Sequence, residues 1–119
     1  MIVGIDHAEI SVKDFDTTVK FYEKLGFKQI SIFKQGGRTH QIQMTSGSVN
    51  LDIVKVAEGE TPKVEHLAFL VDDVDQTVTE LKQMGITVVL DPITSERSGR
   101  RLAAFKDLNG ILHQLAKPQ

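Results

Sequence analysis

The sequence predicts an α+β fold in which one unit, a strand, a helix and three further strands, occurs twice in tandem, and three observations lead there. The stretch Asp6-His7-Ala8-Glu9-Ile10-Ser11-Val12-Lys13-Asp14-Phe15-Asp16 recurs in residue type as Glu65-His66-Leu67-Ala68-Phe69-Leu70-Val71-Asp72-Asp73-Val74-Asp75. The offset of 59 residues holds without a gap from His7/His66 through Asp14/Asp73, Thr18/Thr77 and Val19/Val78 to Gly26/Gly85, which points to internal duplication. Each copy then passes from period-two alternation to helical spacing at the same place.

In the first copy Ala8, Ile10 and Val12 alternate with His7, Glu9 and Ser11, the period of a half-buried strand with His7 on its polar face. Asp14 suits the N-cap of the next helix, and Asp16 adds a carboxylate to its first turn, where the helix dipole favours one. Phe15, Val19, Tyr22 and Leu25 form the apolar stripe, with Tyr22 in the core, and Gly26 closes the helix. Lys28 to Lys34 reads as a strand, Gly36-Gly37 as a hairpin turn and Arg38 to Met44 as the partner strand. Ser48 to Val56 places Val49, Leu51 and Ile53 on one face and Asn50, Asp52 and Val54 on the other. After a linker, the second copy runs from a strand over Glu65 to Val71 into a helix with the stripe Val74, Val78, Leu81 and Met84, ended by Gly85. A short strand over Thr87 to Leu90 is expected to stop at Asp91-Pro92. Thr94 to Gly99 is polar and irregular, and is expected to be mobile without a ligand. Arg100 to Lys106 and Ile111 to Ala116 complete the unit, joined by a turn at Asp107 to Gly110.

One domain over 1–119 follows, with module one at about 1–57, a linker at about 58–63 and module two at about 64–119; a chain of 119 residues can close a hydrophobic core without staples. The absence of cysteine excludes disulfides and thiolate metal sites, so a metal would need nitrogen and oxygen ligands. Fourteen Lys and Arg against sixteen Asp and Glu give a net charge of −2 with no basic run, which argues against nucleic acid as a partner. With no secretory start and no apolar run of spanning length, the reading is a cytoplasmic protein with no membrane partner.

His7 and His66 hold equivalent positions in the two copies, so pseudo-symmetric pairing of the modules would let the imidazoles converge. Asp52 and Gln114, on the last strands of the two modules and facing away from their apolar neighbours, could complete a four-ligand site. His113 points with Ile111 and Leu115 to the opposite face from Gln114, as a helix-side residue. Arg97, Arg100 and Arg101 cluster around the irregular segment, and guanidinium forks suit a carboxylate or phosphonate substrate. His40, Gln41 and Gln43 could line the same cleft, but alternation leaves open which of them face it.

These residues carry a family resemblance. His7 before Val12-Lys13-Asp14, the helix end Phe21-Tyr22-Glu23-Lys24-Leu25-Gly26-Phe27, the run His66-Leu67-Ala68-Phe69-Leu70-Val71-Asp72-Asp73 and the turn Phe105-Lys106-Asp107-Leu108-Asn109-Gly110 resemble the vicinal oxygen chelate superfamily, the group of glyoxalase I, extradiol dioxygenases and bleomycin-resistance proteins. The resemblance covers essentially the whole chain. It implies two βαβββ modules forming an open, curved β-sheet cleft, with a divalent ion (iron, manganese, nickel or zinc) on His7, Asp52, His66 and Gln114, and a homodimer. The function it implies is a glyoxalase-type metal-dependent enzyme, a lyase, isomerase, dioxygenase or resistance transferase acting on a small oxygen-rich substrate. The alternative is a metal-free protein that binds or sequesters a ligand, of the bleomycin-resistance type. Two positions depart from the family pattern, which more often has glutamate on both last strands: Asp52 is a methylene shorter, and Gln114 cannot ionise or act as a carboxylate base.

Overall fold

The computed structural model describes residues 1–118, and its elements follow the predicted order: β1 (Ile2–Val12), α1 (Phe15–Lys24), β2 (Lys28–Gln35), β3 (Arg38–Ser46), β4 (Val49–Lys55), β5 (Lys63–Val71), α2 (Val74–Gln83), β6 (Thr87–Thr94), β7 (Arg101–Lys106) and β8 (Leu112–Lys117). The fold is α+β, with the βαβββ unit present twice. Two compact units divide the chain: His7–Glu65, and Met1–Asp6 together with the residues from His66 on. The long first strand thus belongs by its first residues, up to Asp6, to the unit that holds the second helix. Among the described residues, no helix is long and apolar enough to cross a membrane.

In the His7–Glu65 unit the strands run in the order β2-β3-β4-β1, with β1 parallel to β4 and the other pairs antiparallel. Register puts Ile10 opposite Ile53, and Ile53 opposite Ile42, so alternation delivers one apolar face. Val12, Ile42, Met44 and Ile53 are buried there, with Phe15, Val19 and Tyr22 of α1 packed on them. Tyr22 stands edge-on to Phe27 at 5.5 Å, a core residue as predicted. Complete burial of Ile53 and Met44 contributes about 1.5–3 kcal/mol each. Both glycines of the β2–β3 turn have positive φ (60° and 76°), the backbone a two-residue hairpin needs and side chains resist.

The other unit repeats this plan with strand order β5-β8-β7-β6. Val71, Ala103 and Leu115 of the sheet bury against Val74, Val78 and Leu81 of α2. Both helices are capped alike: Asp14 Oδ2 accepts from the Thr17 amide and Asp73 Oδ1 from the Gln76 amide, each at 2.9 Å. The apolar stripes end at Tyr22 and Leu81, one member earlier than the spacing predicts, since Leu25 and Met84 are C-cap residues and lie exposed.

Two strands differ from expectation. The first strand begins at Ile2 rather than Asp6. The sixth continues through Asp91-Pro92 to Thr94, because its register against β7 slips between Leu90 and Ile93, and a proline is tolerated at such an irregularity on an edge strand. The segment after it is a closed hairpin loop: the Ser95 amide donates to the Arg100 carbonyl and the Gly99 amide to the Ser95 carbonyl, both at 2.8 Å.

Candidate functional site

Within the His7–Glu65 unit, the face of the sheet turned away from α1 is polar. His7, Glu9 and Ser11 project there from β1 because Ala8, Ile10 and Val12 face the core, and Glu9 stands opposite Asp52 in the parallel β1–β4 pairing. Asp52 in turn faces Gln43 on β3. The face is polar yet largely enclosed, with His7, Asp52 and Gln41 all buried and Glu9 and Gln43 half-buried.

Asp52 is the centre of this arrangement. Its Oδ2 lies 3.6 Å from His7 Nε2, and both side chains are at least 95% buried. The same oxygen accepts from Gln41 Nε2 at 3.2 Å, while Oδ1 accepts from Gln43 Nε2 at 3.3 Å. Ser31 Oγ donates to the other end of the Gln43 amide at 2.5 Å. A buried carboxylate is costly unless its lone pairs are satisfied, and here two amides satisfy them. The Gln-Ile-Gln-Met alternation, with Ile42 and Met44 in the core, settles the question left open on β3: Gln41 and Gln43 face Asp52. His40 sits where the β2–β3 register is irregular and leans edgewise on Phe33, with ring centroids 6.3 Å apart. Ser31 is a contributor that sequence reasoning missed, and its signal was its place opposite Gln43 across the hairpin.

In the second unit, Gln114 is half-buried on β8 and lies in register between Ala68 of β5 and Ala104 of β7, two small residues. His66, also half-buried, is two residues before Ala68 and therefore on the same face of β5. His113 takes the helix side, as alternation predicts: its ring lies 5.3 Å from that of Phe69 and 5.4 Å from that of Phe105, with Nε2 3.4 Å from Asp107 Oδ2. That carboxylate also accepts from the amides of Asn109 and Ile111, and these bonds hold Asp107 below the usual carboxylate range.

The three arginines occupy three environments. Arg100 is buried, its Nε 2.8 Å from Asp6 Oδ2. Arg101, the first residue of β7, forks onto Asp75 in the first turn of α2 through Nη2 at 2.7 Å and Nε at 3.0 Å. That bond lowers the Asp75 pKa and raises that of Arg101. Arg97 is exposed on the hairpin loop and, among the described residues, makes no ion pair.

The donor set on the polar face of the first unit, an imidazole nitrogen beside a carboxylate, is of the kind a nitrogen- and oxygen-ligated divalent centre uses. Among the described residues, no three histidine, aspartate or glutamate side chains are gathered as metal ligands would be.

Comparison with known proteins agrees with this architecture. The family model described as the Glyoxalase/Bleomycin resistance protein/Dioxygenase superfamily matches residues 4–115. The Virulence protein STM3117 of Salmonella typhimurium is 32% identical over 106 residues, covering 83% of this chain and 70% of that protein. Among solved structures, methylmalonyl-CoA epimerase from Mycobacterium tuberculosis superposes with a TM-score of 0.85 at 18% identity, over 99% of this chain and 89% of its own. The Streptomyces coelicolor methylmalonyl-CoA epimerase, solved in complex with 2-nitronate-propionyl-CoA, gives 0.79 at 24% identity over 99% of both chains. At these identities the superpositions establish a shared fold.

Proposed function

The chain belongs to the Glyoxalase/Bleomycin resistance protein/Dioxygenase superfamily, and from that premise we propose that it is a glyoxalase-type metal-dependent enzyme, a cytoplasmic homodimer acting on a small oxygen-rich substrate. The observation that carries this reading is the buried approach of His7 Nε2 to Asp52 Oδ2 on an otherwise polar sheet face. Burying a carboxylate beside an imidazole costs solvation that an exposed pair would keep, and a cation bound between them would offset that cost.

In this proposal His7 and Asp52 are ligands from the first unit, and His66 and Gln114 are their counterparts from the second. A divalent ion held by such residues would polarise a bound carbonyl or neighbouring oxygens and stabilise the negative charge that develops on them. Asp52 contributes the carboxylate oxygens, and the Gln41 and Gln43 amides hold them in place by donating one hydrogen bond to each. Gln114 contributes a neutral oxygen and no base, so proton abstraction falls to another group. Methylmalonyl-CoA epimerases have been solved in complex with 2-nitronate-propionyl-CoA and with methylmalonyl-CoA, and a substrate with an acid oxygen near a carbonyl suits the chemistry proposed here. Of the arginines offered for an anionic substrate group, Arg97 would need no partner displaced, Arg101 would have to release Asp75, and Arg100 would act from its pairing with Asp6.

A second reading, a metal-free ligand-binding protein, draws support from one observation: both oxygens of Asp52 already accept amide hydrogens. Calorimetric titration with manganese, nickel and zinc separates the two. The metal-dependent reading expects stoichiometric binding by the parent, loss of binding in His66→Ala and tighter binding in Gln114→Glu, which adds a charge. Equal affinity of His66→Ala and the parent would leave the metal-free reading in possession.

A further inference from the structure

We infer that Ser31 and Gln43 are positioning residues that act in series to aim the Asp52 carboxylate, and thereby set the affinity and geometry of the divalent site; the inference rests on the metal-dependent reading. A primary amide has one donating and one accepting end. Ser31 Oγ donates to Gln43 Oε1, which leaves the Gln43 NH2 to face Asp52 Oδ1 at 3.3 Å. Gln41 holds the other oxygen, Oδ2, at 3.2 Å, and that is the oxygen 3.6 Å from His7 Nε2. With one amide on each oxygen, the plane of the carboxylate is fixed relative to the imidazole.

The chemistry of the face argues that this arrangement serves binding rather than folding alone. The neighbouring positions on β3 and β4, Ile42, Met44 and Ile53, build a dry apolar core without any polar help. Replacing a buried polar network by apolar residues of similar volume is often neutral or stabilising, so its presence calls for another use. Partners that orient a ligating carboxylate typically contribute ten- to a hundredfold in metal affinity. Ser31 is exposed on β2, and its bond to Gln43 Oε1 links it to the amide that donates to Asp52.

The test is a double-mutant cycle on the full chain with cobalt(II), read by calorimetry and by the visible absorption of the bound ion. Gln43→Met, which keeps the side chain's length and loses its donor, should weaken binding about tenfold or more and shift the cobalt band. Ser31→Ala should weaken it about threefold in the parent and not at all in the Gln43→Met background, the signature of two residues acting in series. Thermal midpoints measured alongside separate positioning from mere support, which would lower the midpoint and leave the affinity of the folded protein unchanged. If the parent binds cobalt and Gln43→Met binds it as tightly with the same spectrum, or if the two effects are simply additive, the positioning role is overturned while the metal reading stands. A parent that binds no divalent ion overturns both.

Discussion

Arg100 and Asp6 form the buried ion pair of the second unit, 2.8 Å apart with side chains only 11% and 5% exposed. Taking two charges out of water is costly, and the pairing offsets that cost only while both partners are present. Arg100→Met should therefore destabilise the protein by about 3–5 kcal/mol, by leaving the Asp6 charge buried without its cation, whereas Asp6→Leu combined with Arg100→Met should recover most of the loss. Urea unfolding of the three variants checks this, and a double variant as unstable as Arg100→Met alone would refute it. The same pair shows why adjacency in sequence misleads at this scale. Arg97, Arg100 and Arg101 are close along the chain and form one candidate cluster, but Arg100, at the end of the loop, pairs with Asp6, and Arg101, the first residue of β7, pairs with Asp75. By contrast, His7 and Asp52 were readable because each is the polar member of a strictly alternating strand, and alternation alone brings them to one face.

The helices and their caps carry the repeat most plainly. Asp14 and Asp73 have extended backbones (φ −140° and −148°) and bond the amide three residues on, and each precedes a helix of ten residues. Bonds from the Thr17 amide and hydroxyl hold Asp14 below its ordinary pKa of 3.8, the Arg101 fork does the same for Asp75, and the Ile111 and Asn109 amides do so for Asp107. A carboxyl depressed in the folded state contributes stability above its unfolded pKa and loses it as pH falls through the folded value. Thermal stability is thus expected to hold from neutrality down to about pH 5 and to fall below about pH 4. Asp14→Ala with Asp107→Ala should be less stable at pH 7 and lose less on acidification, a difference that midpoints measured between pH 7 and pH 2 will reveal. Elements of this kind were legible because their signals are local: a capping aspartate, a stripe at helical spacing and a terminal glycine. What stayed hidden was set by register. The continuation of β6 past Pro92 depends on a slip against β7, and the facing of His40 on an irregularity against β2; neither leaves a mark in the residues themselves.

At the scale of the whole molecule, the duplicated modules do not coincide with the compact units, and the difference lies in one strand. The duplication is legible from the ungapped offset, but β1 extends five residues further toward the N-terminus than alternation from His7 shows, and that extension belongs to the unit formed by the second module. Apolar Ile2, Val3 and Ile5 give no alternation to read, and their exposure leaves no buried face to mark. The residues on either side of them make specific contacts: the Met1 amino group lies 3.4 Å from Asp72, and Asp6 holds Arg100 just before β7. One continuous strand therefore serves both units, with His7 at the point where it passes from one to the other. Removing Met1 to Ile5 should weaken the second module more than the first, although the deleted residues precede the first in sequence. Native-state hydrogen exchange read residue by residue is the measurement: amides of β7 and β8 should lose protection in the truncated chain, while those of β3 and β4 keep most of theirs. If β3 and β4 lose protection first, the N-terminal half of β1 is supporting the module it precedes, and the division of the strand between two units has no energetic meaning.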